Sequence, residues 1–127
     1  MTKSAPLPSI PLPPDITSRF VDTSPNSLRF HVLEAGRSPD QSRPLILLVH
    51  GFPEIAYSWR HTIPLLASAG YYVVAFDQRG FGRTSSPCGP IDPSDFRPLN
   101  LIRDVILLVH ALGYTKVRCL VGHDFGA

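Results

Sequence analysis

Asp124 stands between two glycines, Gly122 and Gly126, in a turn that directly follows the apolar run Val117 to Val121. A Gly-x-Asp-x-Gly turn entered from a strand has the form of a nucleophile elbow, which exposes its central side chain on a sharp strand-to-helix bend. The glycines serve because the backbone of such a turn passes so close to neighbouring elements that a Cβ would clash. A serine at the centre would suggest ordinary ester chemistry. Aspartate is already ionised at neutral pH and attacks without a base. It can displace a leaving group at a saturated carbon, opening a strained epoxide or expelling a halide, and it leaves an ester that water must cleave. Taken alone, the same residues also fit a Gly-rich turn whose Asp caps a helix.

The elements that must position this turn are legible in the apolar pattern. Leu45 to Val49, Tyr71 to Phe76 and Val117 to Val121 run without alternation, as strands covered on both faces do. Phe20, Val21, Leu28, Phe30 and Val32 flank the turn Ser24-Pro25-Asn26-Ser27 and predict a hairpin with one wet face. Trp59, Ile63, Leu66 and Ala67 recur at helical spacing, with Ser58 as N-cap and Gly70 as stop; Pro64 inside them should kink or split the helix. Leu101, Val105, Leu108, Val109 and Leu112 form a second stripe, ended by Gly113. Strands alternating with helices predict an α/β fold with a doubly wound, mostly parallel sheet. Residues 16–127 form its domain, and residues 1–15, broken by Pro6, Pro8, Pro11, Pro13 and Pro14, read as a flexible Pro-rich leader.

In such sheets ligands bind beyond the C-terminal ends of the strands. Two further loops should therefore join the elbow: His50-Gly51-Phe52-Pro53-Glu54, and Asp77-Gln78-Arg79-Gly80-Phe81-Gly82 continuing to Ser85. The architecture places one oxyanion donor in the first loop, the backbone N–H of Phe52, and the other on Phe125, next to Asp124.

Composition excludes several classes. Twelve Lys and Arg against 10 Asp and Glu give a net charge of +2 over 127 residues, without a basic patch to track nucleic acid. Cys88 and Cys119 lack metal-type spacing, which suits a reduced, cytoplasmic chain. Prolines interrupt the N-terminus before it could form a signal core, and no apolar run reaches membrane-spanning length. No metal or organic cofactor is expected.

From about Phe20 to Ala127 the sequence resembles the N-terminal part of an α/β-hydrolase of the epoxide hydrolase family. The resemblance rests on His50-Gly51-Phe52-Pro53-Glu54, Tyr57-Ser58-Trp59-Arg60, Gly70-Tyr71, Asp77-Gln78-Arg79-Gly80-Phe81-Gly82 and Gly122-His123-Asp124-Phe125-Gly126. It implies the first five strands of that fold in the order 1-2-4-3-5, with Val117 to Val121 left as an uncovered edge. It implies Asp124 as nucleophile, the amides of Phe52 and Phe125 as oxyanion donors, a cis bond before Pro53, and Asp77, Arg79, Gly80 and Gly82 as a mainly structural loop. The implied substrate, in a full-length parent, is a small-molecule epoxide. Phe125 and Ala56 depart from the family, which often has Trp and an aromatic residue there, so substrate fit should differ. The family's water-activating acid and histidine and its cap normally lie downstream, so the chain as given is expected to form the ester at most once, slowly, and not to turn over. Two alternatives stay open: a haloacetate-type dehalogenase using the same Asp, and a noncatalytic product of a truncated gene or incomplete gene model.

Other candidates carry plainer expectations. His50 should shape its turn, and His123 should point away from Asp124. His31, His61 and His110 default to structural or solvent positions. Glu54 either lines the pocket mouth or begins a helix. Tyr57 and Trp59 should pack, and Arg79 and Arg83 should brace the long loop through ion pairs.

Overall fold

The computed structural model describes residues 8–86 and 96–127. Its strands are β1 (Thr17–Thr23), β2 (Leu28–Ala35), β3 (Leu45–Val49), β4 (Tyr72–Phe76) and β5 (Cys119–Gly122), joined in one sheet of order β1-β2-β4-β3-β5. β1 and β2 form the antiparallel hairpin, β2 runs antiparallel to β4, and β3 is parallel to both β4 and β5. The class, the hairpin and the strand order agree with the sequence reading.

Alternation along β3 and β4 divides the core between two faces. Leu45, Leu47, Val49, Tyr72, Val74 and Phe76 pack with Leu108 and Val109 of helix α2 (Pro98–Ala111). Ile46, Leu48, Val73 and Ala75 pack with Ile63 of helix α1 (Thr62–Ser68) and with Ala56. Every residue of β3 and β4 is buried, which is why neither alternates in sequence. Each such side chain stabilises the fold by roughly 1.5–3 kcal/mol.

Three expectations need correcting. In β2 only Arg29 is exposed, because this strand lies between β1 and β4; the wet face belongs to β1 alone. The inward polar residues of β2 are paired: Glu34 accepts from Arg19 at 2.6 Å and from the Tyr72 hydroxyl, and His31 bonds Asp77. The first helix begins later than expected. Ser58 lies in a 3-10 turn, Ala56–Trp59, with its amide on the Ile55 carbonyl, and α1 takes His61 at its N-cap position. Pro64 then falls in the first turn of α1, where an N–H has no partner within the helix, so the element is split and not kinked. Gly70 does end it, at φ +102. Finally, β5 starts at Cys119 and is largely exposed, since β3 pairs with one of its edges and the other is open.

From Pro8 to Asp15 the chain forms no helix or strand, yet Leu12 packs against the α1 face and the Tyr57 hydroxyl donates to the Pro11 carbonyl at 2.8 Å. The first seven residues of the proposed leader, and Cys88, lie outside the described residues. Among the described residues no helix is long and apolar enough to cross a membrane.

Candidate active site

The backbone leaves β5 at Gly122 and turns through a short 3-10 segment, Asp124–Gly126. Asp124 sits at φ +54, in the left-handed region that residues with a Cβ rarely adopt. The flanking glycines are there for space. A Cβ on Gly122 would overlap the carbonyl oxygen of Gly126, and one on Gly126 would overlap that of Val49 and lie 2.6 Å from that of His50. Gly51 is equally confined, since its Cβ would stand 2.8 Å from that of Asp124. The loop after β3 and the turn after β5 are thus packed backbone against backbone.

This contact lets the Phe52 N–H donate to Asp124 Oδ2 at 3.1 Å. Together with the Phe125 N–H it holds the carboxyl below the ordinary aspartate range, although the side chain is exposed. The Phe52-Pro53 peptide is cis, as the resemblance implied. Around Asp124 lies an open cleft of about 610 Å³ lined by Phe52, Phe81, Phe96 and Phe125. A carboxylate at the mouth of four aromatic rings suits an apolar molecule with an electrophilic carbon.

The loop after β4 braces this arrangement. His50 is buried; the Gln78 amide donates to its Nε2 at 2.9 Å, so Nδ1 carries the proton and donates to the Gly51 carbonyl at 3.0 Å. It ties the loop after β3 to the loop after β4. Asp77 is buried and accepts from the amides of Ala56 at 2.8 Å and Arg83 at 3.0 Å, as well as meeting His31. Gly82 passes so close that a Cβ would overlap the Asp77 carboxylate, and one on Gly80 would run into the Phe96 ring. Arg79 makes a bidentate pair with buried Asp104 of α2, both bonds at 2.8 Å. Arg83 instead donates to the Pro8 carbonyl at 2.5 Å, a tie to the backbone where an ion pair was expected.

His123 Nδ1 lies 3.2 Å from Glu54 Oε1 on the loop after β3. Glu54 precedes the 3-10 turn and begins no helix. Tyr57 and Trp59 pack on the α1 face, with the Arg60 guanidinium 4.4 Å above the Tyr57 ring. The sequence reading missed Phe81 and Phe96 as cleft walls and Asp104 as the partner of Arg79. Phe81, an aromatic between two glycines of the long loop, carried a readable signal; Phe96 carried none.

Residues 44–127 match the family model described as the alpha/beta hydrolase fold. The chain belongs to this family. Among characterised α/β-hydrolases it is similar to epoxide hydrolase A of Mycobacterium tuberculosis, 47% identical over 111 residues, covering 87% of this chain and 32% of that protein. Human epoxide hydrolase 4 is 41% identical over 110 residues, covering 87% and 28%. Solved α/β-hydrolase structures agree. An epoxide hydrolase from an endophytic Streptomyces superposes with a TM-score of 0.76 at 44% identity over 90% of this chain and 31% of that one. An epoxide hydrolase from Vigna radiata gives 0.75 at 40% over 88% and 33%. The chain therefore resembles the N-terminal portion of epoxide hydrolase-like α/β-hydrolases and spans about a third of the length of these relatives.

Proposed function

We propose that Asp124 is the nucleophile of an epoxide hydrolase reaction. The observation that carries this reading is the carboxylate itself: held at a strained turn, kept ionised, and with Oδ2 on the Phe52 amide. The other oxygen attacks an epoxide carbon, the C–O bond of the oxirane breaks, the released oxygen takes a proton from water, and a hydroxyalkyl ester of Asp124 results. Oδ2 becomes the ester carbonyl oxygen. When water attacks that ester, the negative charge develops on an atom already bonded by the Phe52 amide, so that donor stabilises the transition state without moving.

These residues account for the first half of the reaction. His50 and His31 each have both ring nitrogens engaged, so neither can activate water at Asp124. On this reading the 127-residue chain takes up one equivalent of a styrene-oxide-type substrate and stops. Intact-mass spectrometry should show a single adduct, mapped to Asp124, and Asp124→Asn should show none. Adduct formation that survives this substitution would reject the assignment, and steady diol release by the wild-type chain would reject the one-turnover limit.

A further inference from the structure

A second set of nucleophile, imidazole and carboxylate spans β1, β2 and the end of β4. Ser18, exposed on the outer strand β1, has its Oγ 2.7 Å from Nε2 of His31, which is buried on β2. Nδ1 of the same ring lies 2.8 Å from Asp77 Oδ2, just beyond β4. Burial works against the charge on Asp77, but the bonds from His31 and from the Arg83 and Ala56 amides outweigh it and leave the carboxyl below its usual range. A carboxylate only accepts hydrogen bonds. Nδ1 therefore carries the proton, Nε2 presents its lone pair, and the Ser18 hydroxyl donates to it.

The imidazole is also fixed in place. The His31 amide donates to Thr84 Oγ1 at 3.1 Å, and the Phe20 ring lies against the imidazole with centroids 5.5 Å apart. A serine bonded to a base, and a base oriented by a buried acid, is the relation that activates a hydroxyl for attack on carbonyl carbon. β1 and β5 are the two outer strands, so four spacings of about 4.8 Å put Ser18 roughly 19 Å from the elbow, while Asp77 follows β4, two strands from β5.

We propose that Ser18 is a His31-activated nucleophile that accepts an acyl group from activated carboxylic esters, independently of Asp124. In the step, Ser18 Oγ bonds to the ester carbonyl carbon while its proton passes to His31 Nε2. The bond from that carbon to the leaving oxygen then breaks, and the departing alkoxide or phenoxide takes the proton from the imidazolium. Acylated Ser18 and a free alcohol or phenol remain. Among the described residues no strand pairs with the outer edge of β1.

The test uses p-nitrophenyl acetate on the 127-residue chain, under conditions where far-ultraviolet circular dichroism shows the folded sheet. After digestion, mass spectrometry compares acetylation of Ser18 with that of Ser42, an exposed serine on the loop before β3 that is bonded to Ser38 and Asp40 and to no imidazole. General-base help predicts a rate at Ser18 about 100-fold or more above that at Ser42, falling to parity in urea. Equal rates in the folded chain would overturn the proposal. Asp124→Asn should leave the Ser18 rate unchanged, and a fall there would remove its independence from the elbow. This result does not depend on the epoxide reading, because Asp124 alkylation and Ser18 acetylation appear on different peptides.

Discussion

Asp77 and Asp124 each follow a parallel strand at the same edge of one sheet, and each carboxyl is held below the ordinary aspartate range. Their surroundings are otherwise opposite. Asp77 is buried, with Oδ1 on the Ala56 amide and Oδ2 shared between the Arg83 amide and His31. Asp124 is exposed and rests on the amides of Phe52 and Phe125. Backbone N–H groups at strand ends keep a carboxylate charged in either setting. What separates a structural anchor from the proposed nucleophile is whether an oxygen is left over to react.

Removing the anchor should therefore have the largest effect on folding. Asp77→Ala strands two amides and the His31 ring in the interior, and should cost about 4 kcal/mol of stability in urea unfolding. Because that is a large share of the 5–15 kcal/mol typical of a domain, much of the variant should be unfolded at 37 °C. A loss below about 1 kcal/mol would mean that the Asp77 network is not holding the loops. Gly126→Ala should come next, at about 2 kcal/mol, because its Cβ meets the Val49 and His50 carbonyls and can be accommodated only by moving backbone. Asp124→Gly should have the opposite sign. It removes the proposed nucleophile and should abolish adduct formation, but glycine accepts φ +54 freely, so the urea midpoint should rise slightly. A midpoint lower than wild type would show that the carboxylate contributes to the fold as Asp77 does.

How far these roles could be read beforehand follows from the range of the forces that set them. β3 and β4 were legible to within one residue because burial on both faces forces a continuous apolar run. The elbow glycines were legible because a turn of that kind admits no Cβ. The start of α1 was not: Ser58 is a good N-cap by type, but the Ile55 carbonyl captures its amide in a 3-10 turn before the helix begins. Nor was the role of His31, which alternation places opposite Phe30 and Val32, on the face read as wet, without naming Asp77, 46 residues away, as its partner. Local pattern revealed what local sterics determine. Pairings across the sheet needed the fold.

The smallest expected effect is the pH dependence, and it distinguishes the two carboxylates by what they support. Both have folded pKa values lowered from 3.8. For a lowered acid, the stabilising contribution is complete above the unfolded value and is lost as pH falls through the folded one. Asp77 should thus contribute fully from neutral pH down to about 4 and lose its contribution below that. Asp77→Asn, unable to ionise, should lack this acid-dependent part, so the stability curves of variant and wild type should converge as pH drops from 4 toward 2. At Asp124 the same direction of shift acts on reactivity. A carboxylate that remains ionised below the usual value should form its epoxide adduct at a rate that is flat from pH 7 down to about 4, measured over times short enough to exclude acid-catalysed opening in solution. A rate that halves well above pH 4 would show that the Phe52 and Phe125 amides do not hold the charge, and the contrast between anchor and nucleophile would then lie in ionisation as well as in exposure.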